Sequence, residues 1–123
     1  MGFPRLFAAL RARWCLVTVR GNSMAPTYTD GDVLLVRCGG RLRRGVPVVF
    51  RTPGETDPPF LVKRLVALAG ERHPAFSEPV PPGRIAVLGD NTGRSQDSRH
   101  FGPIDTASVM GHVLHRFPAR SPG

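Results

Sequence analysis

A guanidinium keeps its proton at any ordinary pH, whereas a lysine ammonium moved into apolar surroundings can lose it. The chain holds 17 Lys and Arg residues, and Lys63 in FLVKRLVAL (60–68) is the single Lys among them. Burial disfavours the ammonium and can lower a lysine pKa from ~10.4 by ~3–5 units. The neutral amine is then a base able to take a hydroxyl proton, which is what a serine needs to become a nucleophile. Ser23 in GNSMAPTYTDGD (21–32) stands where a strand runs into the turn residues Gly21 and Asn22, with Met24 and Pro26 behind it. Such a turn exposes the hydroxyl and leaves backbone N–H groups free to hold an oxyanion. Each residue also has a plainer reading. Serines in turns commonly bond the backbone, and a lysine on a half-buried strand can snorkel to solvent. The adjacent Arg64 suits the exposed face, which leaves Lys63 the opposite one.

A third stretch, VLGDNTGRSQDSRHFGP (87–103), is dense in polar groups. A Ser95 hydroxyl there could orient a neutral amine without adding charge, and Asp97 with Arg99 could stiffen the loop as a pair. Alone, the pattern also reads as a solvated turn. A histidine-based alternative would use Ser23, His100 and Asp97, but the last two are too close in sequence to orient each other easily. His112 and His115, three apart on an expected strand, should point to opposite faces, which argues against a metal site.

These groups need elements to hold them. At 123 residues with 14 Gly and 13 Pro, the chain suits one loop-rich, strand-based domain. Strands are expected over 14–19, 32–37, 46–51, 60–68, 84–90 and 109–117, the last weakened by Gly111. The spacing predicts a mainly β, antiparallel, partly closed barrel-like domain over 14–117, with a tail over 118–123. Cys15 and Cys38 match no CxxC pattern and read as unpaired thiols. No segment reaches the ~20 apolar residues of a membrane span. Phe3, Leu6, Phe7 and Leu10 fall on one helical face within a basic segment over 1–13, which suits either peripheral contact with anionic lipid or packing on the domain. A net charge of +8 favours an acidic partner, but no aromatic run accompanies the arginines, so no nucleic acid is expected.

Together, GNSMAPTYTDGD, LVKRLVALAG and VPPGRIAVLGDNTGRSQDSRHFGPI resemble the boxes of the type I signal peptidase family, in the right order over about residues 16–115. LexA-type self-cleaving repressors share the Ser-Met turn and the strand Lys but lack the last box. The resemblance implies a signal peptidase/LexA type of fold and a serine endopeptidase that needs no cofactor or metal. It makes Ser23 the nucleophile, Lys63 the general base and Ser95 the serine that bonds the lysine. Asp97 and Arg99 match a structural pair, Asp90 and Arg64 support the site, and Met24 and Pro26 shape the turn. The implied partner is a precursor carrying a signal or leader peptide, cut after small Ala-X-Ala-like residues, at a membrane. Three departures accompany the match. Gly21 replaces a serine that helps hold the oxyanion in many bacterial members, so the hole must rest on backbone N–H such as that of Ser23. The usual N-terminal anchor is missing, and AGERHPAFSEPVPPG is short. These features fit a compact maturation protease, one serving a dedicated precursor such as a nickel superoxide dismutase leader included. A degenerate, inactive basic homologue that binds membrane or nucleic acid is the non-enzymatic alternative.

Overall fold

The computed structural model describes residues 13–120, so the amphipathic pattern over 2–12 and the end of the tail lie outside the described residues. Seven strands form: β1 (Trp14–Thr18), β2 (Val33–Cys38), β3 (Pro47–Arg51), β4 (Phe60–Ala67), β5 (Arg84–Leu88), β6 (Ile104–Asp105) and β7 (Val109–Phe117). They make one antiparallel sheet in the order β1-β2-β7-β3-β4-β5-β6, curled into an open half-barrel. The expected strands are present with ends shifted by a residue or two. β6 is additional, and two residues are too few to show an alternating pattern.

Alternation divides the apolar residues between the two faces of the sheet. Val19, Met24, Tyr28, Leu34, Val36 and Val49 cluster on one face, with Val62 and Val113 against them. Val48, Phe50, Leu65, Ile85, Val87 and Ile104 cluster on the other. In β4, Lys63, Leu65 and Ala67 are buried while Arg64 and Val66 are partly exposed. Lys63 therefore faces inward with Leu65, as its neighbour Arg64 suggested.

Gly111 is a packing requirement of β7, not a break in it. A Cβ at Gly111 would come within 2.0 Å of the Arg37 carbonyl oxygen, where β2 crosses close to β7. Backbone of this kind cannot swing aside. Gly111→Ala should cost about 2 kcal/mol of stability, read as a lowered urea midpoint at an unchanged slope.

The β2–β7 register slips by one residue between Leu35 and Val36, which face His115 and Val113. This bulge corrects the expectation for the two histidines. His112 pairs with Arg37 and His115 with Leu35, so the extra residue, Leu114, returns both rings to one face. His115 instead packs edge-on against Phe117, with centroids 4.7 Å apart.

Cys15 and Cys38 are free, half-buried thiols on adjacent strands. Their sulfurs lie 3.7 Å apart. Burial, then the contact with Cys38, pushes the Cys15 thiol up to about 11.

Candidate active site

Ser23 sits in the loop between β1 and β2. Gly21 enters this loop at φ 79°, in the left-handed region that favours glycine. Its N–H donates to Asp30 Oδ1 at 2.7 Å, and the Asp30 N–H donates to Asn22 Oδ1 at 3.3 Å. A serine at position 21 would be strained here, which gives the observed glycine a backbone reason. Met24 is fully buried, whereas Ser23 is partly exposed above it. Ala25 donates to the Asn22 carbonyl and Tyr28 to that of Met24. The Ser23 N–H donates no hydrogen bond among the described residues.

The far end of the loop is pinned by Asp32, which is 1% exposed. Its carboxylate accepts from Thr29 N at 2.9 Å, from Arg116 Nε at 2.8 Å and from Ala119 N at 2.8 Å. The Thr29 amide bond leads the forces that hold this carboxyl below its usual range, against the cost of burial. Neither Asp32 nor Arg116 stands out in the sequence, because a separation of 84 positions hides the pairing.

Lys63 is 2% exposed. Its Nζ donates to Ser95 Oγ at 3.1 Å, and Ser95 Oγ donates to Asp97 Oδ2 at 2.9 Å. Arg99 holds Asp97 through Nε and Nη2, both at 2.9 Å, and the Gly89 amide adds a bond of 2.9 Å. Burial opposes the Asp97 carboxylate, but these bonds, led by Arg99, outweigh it and bring its pKa down to about 2. Burial pushes the Lys63 ammonium down from its ordinary value; Asp97 works against this and Arg99 with it. Since Arg99 already neutralises Asp97, the lysine has only a partial counter-charge within reach.

The loop carrying Ser95 is stitched to the loop carrying Ser23. The Asn91 N–H donates to the Ser23 carbonyl at 2.9 Å and Asn91 Nδ2 to the Asn22 carbonyl at 3.0 Å. The Asp90 N–H meets Met24 Sδ at 3.3 Å, and Thr27 Oγ1 donates to Asp90 Oδ2 at 2.6 Å. Arg64 grips the same Asp90 through Nε and Nη2, at 2.8 and 2.7 Å. Gly89 lies where these loops meet: an added Cβ would fall 2.0 Å from Ser95 Oγ and 2.7 Å from the Ser23 carbonyl oxygen. Gly89, Thr27 and Asn91 are contributors that pattern reading passed over. Gly89 thus lies between the Ser95 hydroxyl that bonds Lys63 and the backbone of Ser23. Among the described residues no hydrogen bond joins the side chains of Ser23 and Lys63; Lys63 Nζ is bonded to Ser95.

Among the described residues no hydrogen bond joins His100 to Ser23. The short helix α1 (Ser98–Phe101) is capped by Asp97, and the Asp97 N–H donates to His100 Nδ1 at 3.2 Å, a capping box that uses the imidazole.

A cleft of about 210 Å³ opens beside Ser23. Val17–Arg20 form one wall and Pro58–Val62 the other.

Comparison with known proteins turns this arrangement into a relationship. Residues 73–117 match the family model described as signal peptidase, peptidase S26, and residues 3–73 match the peptidase S24-like model. The Arabidopsis thaliana mitochondrial ATP-independent inner membrane protease subunit 1a is 36% identical over 114 residues, covering 80% of this chain and 67% of that protein. Signal peptidase I of Bacillus caldolyticus is 30% identical over 142 residues, covering 80% of this chain and 76% of the relative. The chain belongs to the type I signal peptidase family. The Xenopus tropicalis mitochondrial inner membrane protease subunit 1, at 32% identity over 82% of this chain and 67% of its own length, is another relative. The chain thus spans about two thirds of the length of the mitochondrial relatives. The match to the Bacillus signal peptidase runs over 142 residues, more than the 123 of this chain, so the relative carries segments with no counterpart here. Membership makes the chain a peptidase by family. Among the described residues no helix is long and apolar enough to cross a membrane.

Proposed function

We propose that this chain is a serine endopeptidase that removes signal or leader peptides through a Ser23 acyl-enzyme, with Lys63 as general base. The observation that carries the reading is the burial of the single lysine against a neutral hydroxyl, with the one nearby carboxylate already paired to Arg99. Such an amine is shifted toward neutrality by its surroundings. It accepts the Ser23 proton as the serine oxygen attacks the scissile carbonyl. The tetrahedral oxyanion is received by the Ser23 N–H, which is free of other acceptors among the described residues. Collapse expels the leaving amine, which takes the proton back from the Lys63 ammonium. Lys63 then deprotonates a water that hydrolyses the ester and restores Ser23. The bond between Ser23 and Lys63 forms as substrate docks; catalytic hydrogen bonds are often long before it does.

Ser95 is the positioning residue. It accepts from Lys63 and donates its own O–H to Asp97, which orients the amine without placing a bare charge on it. The cleft supports an extended peptide laid between β1 and the start of β4. Its walls of Val17, Val19, Leu61 and Val62 suit small apolar side chains on either side of the cut bond, and the names of the signal peptidase relatives point to precursor proteins as the source.

The test is cleavage of an Ala-X-Ala peptide from pH 6 to 10. Because the Lys63 pKa is lowered, activity should rise with pH and level off below the ordinary lysine value near 10.5. A penem-type inhibitor should add its mass to Ser23 and leave Ser23→Ala unlabelled. Labelling elsewhere, or a pH profile without this limb, would sink the reading.

A further inference from the structure

A second concave site lies on the face of the sheet that Lys63 shares. Arg37, His112, Val48 and Lys63 are direct partners across β2, β7, β3 and β4, so their side chains form one row. His112 is two strand spacings from Lys63, ~10 Å, with Val48 between them. Around His112 a cavity of about 340 Å³ is lined by Arg37, Gly40, Arg41, Arg43, Val46 and His112. No carboxylate is among these lining residues.

Three observations bear on what it holds. The ion pairs of the described residues use Arg44, Arg64, Arg84, Arg99 and Arg116, and none of the three arginines of the cavity. Arg37 and His112 stand directly opposite each other across β2 and β7, so both side chains reach the same cavity. The Nδ1 of His112 is buried with no hydrogen-bond partner among the described residues, a costly state for an imidazole nitrogen. Gly40, at φ 86°, lies next to the ring and presents no side chain to it. A Cβ there would stand 3.6 Å from Cε1 and 4.0 Å from Nδ1.

We propose that this cavity binds a phosphate-type oxyanion. Arg37, Arg41 and Arg43 offer planar, forked donors that match phosphate oxygens in pairs, and His112 Nδ1–H is the innermost donor once the Gly40 turn admits an oxygen. The phosphate can belong to a soluble ester or to a phospholipid headgroup. Trp14, directly opposite Arg37, and Leu16 are exposed beside the cavity on the same face, so an amphiphile would find an apolar surface next to its headgroup site. The proposal does not depend on the peptidase chemistry: the cavity shares no lining residue with the cleft beside Ser23.

Trp14 is the only tryptophan, and its fluorescence reports on the site directly. The full chain is titrated at constant ionic strength with inorganic phosphate, and separately with phosphatidylcholine vesicles with and without phosphatidylglycerol. A saturable response to phosphate assigns a soluble ligand; a response only to phosphatidylglycerol vesicles assigns the headgroup. In either arm Arg41→Gln with Arg43→Gln should weaken binding at least 10-fold. Arg72→Gln with Arg120→Gln, the same charge change on exposed arginines elsewhere, should weaken it less than 3-fold. No saturable response in either arm overturns the proposal. So does an equal loss in the two double variants, which would make the effect one of net charge alone.

Discussion

Lys63→Met should reduce cleavage by about 10⁴-fold, the scale on which losing one member of a catalytic unit acts, and at the same time raise the melting temperature. The two effects share one cause. Lys63 is 2% exposed, and burial lowers its pKa in the folded chain below the ordinary 10.5. As the pH falls below 10.5, the unfolded chain takes up a proton that the folded chain holds less readily, so folding is progressively disfavoured. The penalty grows until the pH has passed the folded-state value and is constant below it. Methionine fills nearly the same volume with no proton to lose. Ser95 keeps its bond to Asp97 in the variant, so no buried hydroxyl is orphaned. The gain should be on the order of 1 kcal/mol near neutral pH and should shrink as the pH approaches 10.5. Lys63→Arg separates the two effects in the other direction: it forces a permanent charge and a larger head into the same space, so it should be inactive and less stable. Thermal melts and peptide cleavage across pH 6 to 10 check both. A Lys63→Met protein that cuts peptide, or one that melts lower than wild type at pH 7, contradicts the assignment of Lys63 as a buried neutral base.

How far the sequence could be read follows from the range of the forces involved. The period-2 pattern of FLVKRLVAL put Arg64 and Lys63 on opposite faces, because strand alternation is local. The proximity of Asp97 and Arg99 was legible for the same reason: they are two residues apart. The stitches between loops were not. Asp32 with Arg116, Thr27 with Asp90 and Asn91 with Ser23 join residues 63 to 84 positions apart, and only the sheet order brings them together. The histidine faces were misjudged because one extra residue in β7 moves everything beyond it to the other side, and nothing in VMGHVLHRF marks the bulge. Gly111 reads locally as a weak strand residue, yet the reason for it is the neighbouring strand. Glycine in a strand carries no local sign of whether it is a defect or a clearance.

Gly89 is the second such clearance, and its replacement should be among the most damaging changes in the molecule. Gly89→Ala should lower peptide cleavage at least 100-fold and cost about 3 kcal/mol of stability. Its φ is not in the left-handed region, so the effect is one of space alone. The new methyl would fall 2.0 Å from Ser95 Oγ, 2.4 Å from Ser95 Cβ and 2.7 Å from the Ser23 carbonyl oxygen. Relief requires moving Ser95 away from Lys63, or Ser23 away from Asn91, and either motion misplaces a group in the proposed proton path. A displacement of about 1 Å is enough to cost ~100-fold in rate. The Gly89 amide also donates to Asp97, so a backbone shift would loosen the carboxylate that Ser95 bonds. Gly93→Ala is the matched control: the same substitution in the same loop, with nothing within 4 Å of the new methyl, should stay within ~0.5 kcal/mol of wild type and keep its activity. Denaturant midpoints and cleavage rates for the two variants decide the matter. If Gly89→Ala remains as active as Gly93→Ala, then Ser95 does not need to stand where it does, and its proposed hold on the lysine falls with it.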